Sequence, residues 1–190
     1  MNKVLFINAC VRPNSRTLEI AKSILSEMNG TVEEVNLNKI SLKPLDFAEL
    51  EKRDAAVKNQ NFSDSCFDLA KQFAKADAIV VAAPYWDLMF PAILKTYLEN
   101  VTVCGMTFDY TVEGKPQGLC NAKSLYYITT AGGFIGENDF GYSYIKALAN
   151  NLFGIQKTFR IAAEGLDIAG ANIEEILRKV KNETMKKYEI

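Results

Sequence analysis

The sequence predicts an α/β protein: a three-layer, doubly wound sheet of five parallel strands in the order 2-1-3-4-5. Three observations lead there. Short apolar runs rich in branched residues alternate with stretches of helical period, as successive β-α-β units require. One run, residues 77 to 84 (DAIVVAAP), is almost wholly apolar, as a strand covered on both faces must be. A chain of 190 residues, 48% of them hydrophobic and with neither repeat nor linker, suits a single domain over residues 1–190 with a substantial core.

The elements follow in order. KVLFIN (3 to 8) reads as the first strand, and Leu18, Ala21, Leu25 and Met28 share one face of the helix after it. TVEEVNL (31 to 37) is the second strand. Residues 38 to 62 are the least regular and are expected to hold a short helix and a loop. After the third strand, Pro91 suits the first turn of a helix whose inner face is Ile93, Leu94, Tyr97, Leu98 and Val101. KSLYYITT (123 to 130) is the fourth strand, and Asp139 is placed to cap a helix facing inward through Tyr142, Ile145, Ala149 and Leu152. KTFRIAAE (157 to 164) is the fifth strand, and Asn172 with Glu175 resembles a capping box ahead of Ile173, Ile176, Leu177 and Val180. Five strands and about five helices give the flavodoxin-like arrangement. In such sheets a ligand sits beyond the carboxyl ends of the strands, where the winding reverses between strands 1 and 3. The loops after residues 8, 83 and 130 are therefore the candidates.

Composition removes several function classes. Histidine is absent, which excludes Ser-His-Asp and Cys-His catalysis and HExxH zinc sites, and no metal site is expected. With 22 basic against 23 acidic side chains, no surface suits nucleic acid. No apolar run approaches the roughly 18 to 20 residues that span a bilayer, and MNKVLFINAC has too short an apolar stretch for a secretory signal. A cytoplasmic protein is expected, its cysteines at 10, 66, 104 and 120 free thiols.

The first loop, NACVRPNSRT, precedes a helix whose free N–H groups and positive dipole end attract anions. Ser15 and Thr17 add hydroxyls, Arg12 or Arg16 adds charge, and a phosphate fits there. Asn14 or Ser15 as a simple helix cap is the competing reading. The spacing Cys10-x5-Arg16 also resembles the low-molecular-weight protein tyrosine phosphatases, but Pro13 removes one amide from the turn that must ring a phosphate. The second loop, APYWDLMFPAILKTYLENV, brings flat apolar groups and constrained backbone to the sheet edge, where a planar ring can lie, or where Trp86 anchors packing. The third, TTAGG (129 to 133), ends on a glycine pair that lets a ligand approach the backbone. TFDYTVEGKPQGL (107 to 119) suits a lid or an intersubunit arm.

Together, and in this order, NACVRPNSRT, APYWDLMFPAILKTYLENV, GMTFDYTVEGKPQGL, TTAGG and RIAAEGLD (160 to 167) resemble the FMN-dependent NAD(P)H:quinone and azo-compound oxidoreductases of the flavodoxin-like superfamily. The resemblance implies that Arg12, Ser15 and Thr17, with neighbouring amides and Arg16, hold the FMN phosphate. Pro84, Tyr85, Trp86, Asp87 and Leu88 then run along the pyrimidine edge, with main-chain N–H groups of 86 to 88 reaching flavin N5 and O4. Thr130, Ala131, Gly132 and Gly133 line the other side. Tyr110 falls where the family carries an aromatic near the substrate, reaching into a partner subunit's site in a homodimer. NADH or NADPH is the implied electron donor, and a quinone, azo or nitro compound the acceptor. Hydride transfer to flavin N5 needs no acid-base side chain; the proton for the second step comes from solvent or Tyr110. The chain departs from the family at Ala9 and Cys10, where serine is usual, at Ala131, where arginine precedes the glycine pair, and at Leu152, where an aromatic is common. Asp87 can accept from flavin N3–H, while its charge lowers the flavin potential. A flavodoxin-type electron carrier would share the cofactor, but such carriers are commonly strongly acidic, and a net charge of −1 steers a redox partner weakly.

Overall fold

The computed structural model describes residues 2–137 and 139–188. Along the chain run β1 (Lys3–Asn8), α1 (Arg16–Glu27), β2 (Thr31–Asn36), α2 (Phe47–Lys58), α3 (Asp68–Lys75), β3 (Ala78–Ala82) and α4 (Ala92–Val101). They are followed by β4 (Phe108–Tyr110), β5 (Pro116–Gly118), β6 (Ser124–Thr130), α5 (Phe140–Leu148), β7 (Lys157–Ala163) and α6 (Ile173–Tyr188). The main sheet has the order β2-β1-β3-β6-β7, with every neighbouring pair parallel. This is the expected 2-1-3-4-5 order, since β4 and β5 form a separate two-stranded sheet.

Successive side chains on a strand point to opposite faces, and that alternation divides the core in two. Leu5, Ile7, Ile79, Val81, Leu125 and Tyr127 are buried on one face with Phe73, Leu94, Tyr97 and Ile145 from α3, α4 and α5. Val4, Phe6, Val80, Tyr126, Ile128 and Ile161 are buried on the other, with Ile20 and Ile24 from α1 and Leu177 from α6. The central strands therefore carry no polar alternation, whereas the edge strand β2 leaves its first four residues exposed.

Some expectations need correction. Helix α1 buries Thr17, Ile20, Ala21, Ile24 and Leu25, so Leu18 and Met28 lie at the margin of its inner face. Six α-helices are described where about five were expected, and α5 runs into a π-helical turn, Ala149–Phe153, closed by left-handed Gly154. Asp139 does cap α5, accepting from Tyr142 N at 2.9 Å. Asn172 accepts from Glu175 N at 3.2 Å, but it returns a side-chain donor to the Glu175 carboxylate at 3.3 Å in place of the backbone donor of a capping box. The segment expected as a lid or arm is the antiparallel β4–β5 hairpin. Its base has no room for a side chain: a Cβ on Gly118 would stand 2.1 Å from the Gly154 nitrogen.

Candidate functional site

Four loops leave the carboxyl ends of β1, β3, β6 and β7 and enclose one cleft of about 370 Å³. Its walls include Arg12, Ser15, Arg16 and Thr17 from the first loop, Pro84, Tyr85 and Trp86 from the second, Thr130, Ala131 and Gly132 from the third, and Leu166 and Asp167 from the fourth. Three loops were expected at this edge; the fourth was not.

The first loop is pinned at its base. Ala9 N and the Cys10 thiol both reach the Ala82 carbonyl, at 2.9 and 3.6 Å, and Cys10 N donates to the Asn8 side chain at 3.0 Å. Cys10 is buried, and burial pushes its thiol above the ordinary value, outweighing a hydrogen bond with Ser15 that pulls it down. A nucleophilic cysteine needs the opposite environment, exposed and with a lowered pKa, so thiolate attack on phosphorus has no support in this geometry. Ser15 Oγ accepts from Leu18 N at 3.3 Å as the N-cap of α1, and its bond with the Cys10 thiol engages its own proton, so the hydroxyl is a cap first. Thr17 is fully buried, and its hydroxyl meets that of Thr130 at 2.6 Å. It joins the first loop to the third and does not project into the cleft as a separate donor. An anion is therefore left with the Arg16 and Thr17 amides, which have no acceptor among the described residues, together with the exposed Arg12. These are the free N–H groups that every helix start leaves.

The second loop is anchored by Tyr85 N, which donates to Thr130 O at 3.0 Å, and then reverses in a tight turn where Trp86 and Met89 exchange both backbone hydrogen bonds, at 2.9 and 2.8 Å. The Trp86 N–H is thus used within the turn and is not available to a ligand, contrary to the expected role. Asp87 and Leu88 both lie in the left-handed region, with φ of 49° and 66°. Two consecutive residues with side chains there store roughly 1 to 2 kcal/mol each, a strain that collects at functional sites. Their amides find no acceptor among the described residues, although Asp87 and Leu88 stand beyond the cleft wall. Trp86 is 40% exposed, which suits a cleft wall better than the packing anchor also considered for it.

The third and fourth loops are laced together. Ala131 N donates to Ala163 O, Leu166 N to Ala131 O, Asp167 N to Gly132 O and Gly165 N to Gly133 O, at 2.9 to 3.2 Å. Arg160 binds the carboxylates of both Asp139 and Glu164, and Glu164 also accepts from Ile135 N at 2.9 Å. The lack of a side chain at Gly132 has a consequence absent from the sequence reading: a Cβ there would stand 2.4 Å from the Asp167 carboxylate and displace it. Asp167 in turn pairs with Arg16 at 2.8 Å, so first, third and fourth loops meet at one point. Leu166 and Asp167 were not singled out as wall residues: their segment, RIAAEGLD, entered only through the family resemblance, and the candidate loops stopped at the one after residue 130. The signal present was the glycine before them, at the carboxyl end of the last strand. Gly133 borders the cleft without lining it. Tyr110 lies outside it, 56% exposed on the β4–β5 hairpin and packed edge-on against Phe108. Among the described residues no cluster of side chains suits a metal, and no helix is long and apolar enough to cross a membrane.

Residues 2–187 match a family described by its flavodoxin-like fold. An FMN-dependent NADH:quinone oxidoreductase of Clostridium perfringens is 36% identical over 184 residues, covering 92% of each chain. Another of that name, from Clostridium acetobutylicum, is 37% identical over 190 residues, covering 94% of each. A crystal structure of an azoreductase from Bacillus anthracis superposes with a TM-score of 0.86 at 26% identity over 98% of both chains. With that identity along nearly the whole chain, and with the sheet order and cleft already described, this protein belongs to the flavodoxin-like family that includes the FMN-dependent NADH:quinone oxidoreductases.

Proposed function

We propose that the chain is an FMN-dependent oxidoreductase that takes reducing equivalents from NADH or NADPH and delivers them to a quinone, azo or nitro acceptor. The observation that carries this reading is one cleft that sets free helix-start amides and Arg12 together with an exposed Trp86 and the third loop. The amides suit a phosphorylated tail and the aromatic wall a flat ring. FMN, when bound, supplies the capacity to accept hydride from a nicotinamide and pass electrons on, which a chain without histidine otherwise lacks.

The protein's own work is positional. Arg12 and the Arg16 and Thr17 amides hold the phosphate, the Thr17–Thr130 bond keeps that end in register with the ring end, and the Asp87–Leu88 turn offers its free amides to the ring's polar edge. Pro84, Tyr85 and Trp86 form one wall, Thr130 to Gly132 the other, leaving an open face where donor and acceptor bind in turn near one reactive centre. Tyr110 belongs with a homodimer: the hairpin presents it to solvent beside Val112, 99% exposed at the tip, as an arm that meets a second copy.

The experiment is to purify the protein, record its spectrum and mix it anaerobically with each nucleotide. A flavin absorption band that NADH or NADPH bleaches within milliseconds to seconds is the expected result. A colourless protein that refuses added FMN would end the reading, and a band that neither nucleotide bleaches would leave a passive electron carrier.

A further inference from the structure

The Arg16–Asp167 pair lines the cleft beside the free amides at the start of α1. Arg16 Nη1 reaches the Asp167 carboxylate at 2.8 Å and the Leu166 carbonyl at 3.4 Å. Asp167 is 70% exposed and Arg16 37%, so solvent already satisfies most of what the pair gives each partner, and the ion pair itself adds little stability. Its effect on an anion in the same cleft is larger. Arg16 at a helix start beside free amides is what a phosphate attracts, yet its charge faces an equal and opposite one on Asp167. Gly132 preserves that arrangement, since any side chain there would meet the carboxylate.

We propose that Asp167 is a specificity-determining residue for the cofactor. By cancelling Arg16, it leaves Arg12 and the backbone amides to hold the phosphate and so tempers the preference for FMN over riboflavin. This rests on the FMN reading above. The pair as a whole contributes no net charge to the site, and this fixes the signs for its separate members. Removing Asp167 frees the Arg16 charge for the phosphate. Removing Arg16 leaves an unbalanced carboxylate facing it. Removing both restores the original sum.

The test titrates the full chain, stripped of flavin, with FMN and with riboflavin, following the quenching of flavin fluorescence. In Asp167→Asn the affinity for FMN rises by about three- to tenfold, the range expected for one charge acting across a partly solvated cleft, while the affinity for riboflavin stays unchanged. In Arg16→Ala the ratio of FMN to riboflavin affinity falls, and in the double variant it returns to within about twofold of wild type. The gain in Asp167→Asn shrinks as salt is raised. Asp167→Ser, which removes the same charge without introducing an amide, must behave as Asp167→Asn does, and circular dichroism of each variant checks that the fold is retained. FMN and riboflavin affinities moving together, or FMN affinity falling in Asp167→Asn, would overturn the proposal, since either marks a structural or orienting role. A wild-type chain that takes up neither flavin would overturn the FMN reading itself, a failure distinct from an unchanged ratio in a chain that binds both.

Discussion

Replacing Thr17 by Val keeps the shape of a fully buried side chain and deletes its 2.6 Å bond to Thr130. Losing such a bond costs about 1 to 2 kcal/mol, a fall in Tm of roughly 2 to 8 °C for a chain of this size, read by calorimetry. FMN retention should weaken as well, because the same bond keeps the two ends of the cleft in register. An unchanged Tm would show that the hydroxyls do not depend on each other. Gly132→Ala acts differently. The obstructing atom is the end of an exposed side chain that can swing aside, so the expected stability loss is only about 1 kcal/mol, accompanied by loss of the Arg16–Asp167 pair. Candidate cleft residues of the first three loops were legible because residue type and loop position carry them: Ser and Thr at a helix start, arginines beside them, glycine after a strand. Which atom each side chain uses was not legible. NSRT offered Asn14 or Ser15 as a cap, and Ser15 is the one used; nothing in it says that Thr17 turns inward to Thr130, since that depends on where a strand distant in sequence lies.

At the scale of elements, Arg160 on β7 ties the start of α5 and the third loop to the sheet through Asp139 and Glu164. Arg160→Met would leave two partly buried carboxylates without a counter-charge. The expected cost is about 2 kcal/mol, discounted for solvent access, and amide exchange at Ile135 should quicken, since its N–H is held by Glu164. Protection at Ile135 equal to wild type would mean that the clamp is redundant. Gly118→Ala tests the hairpin. The obstructing atoms are Phe153 and Gly154 backbone, 2.1 to 2.4 Å away, which cannot rotate aside, so the expected loss exceeds about 2 kcal/mol and is visible as early proteolysis within residues 107 to 119. Resistance equal to wild type would contradict that packing. The hairpin was not read as strands because Pro116, Gly114 and Gly118 break the alternation that marks a strand. The left-handed pair at Asp87 and Leu88 escaped for a related reason: no glycine marks it, and leucine seldom adopts that conformation.

For the molecule as a whole, two thiols predict its response to alkali. Burial pushes Cys120 up to about 12 and Cys10 above its ordinary value. In the unfolded chain both ionise near 8.5, so above that pH the unfolded state has lost protons that the folded state keeps, and stability falls with rising pH. Tm should therefore decline between about pH 8.5 and 12, and less steeply in Cys120→Ala once its own packing loss at neutral pH is subtracted. Parallel curves for the two proteins would argue against this origin. Sedimentation at micromolar concentration tests the homodimer; monomers alone would count against the hairpin as an intersubunit arm.

Local order was determined by the sequence alone. Apolar runs long enough for buried strands and the helical faces between them specify a doubly wound sheet, and the absence of histidine leaves the chemistry to other side chains or to a cofactor, because hydrophobic period and side-chain inventory are properties of the chain at short range. What only the tertiary structure decided is that a fourth loop shares the cleft with the three expected ones, and how their polar atoms are spent. The first and fourth loops are 150 residues apart, and the meeting of Arg16 with Asp167 exists only once the strands between them are stacked in register. Short-range patterns carry no information about that distance.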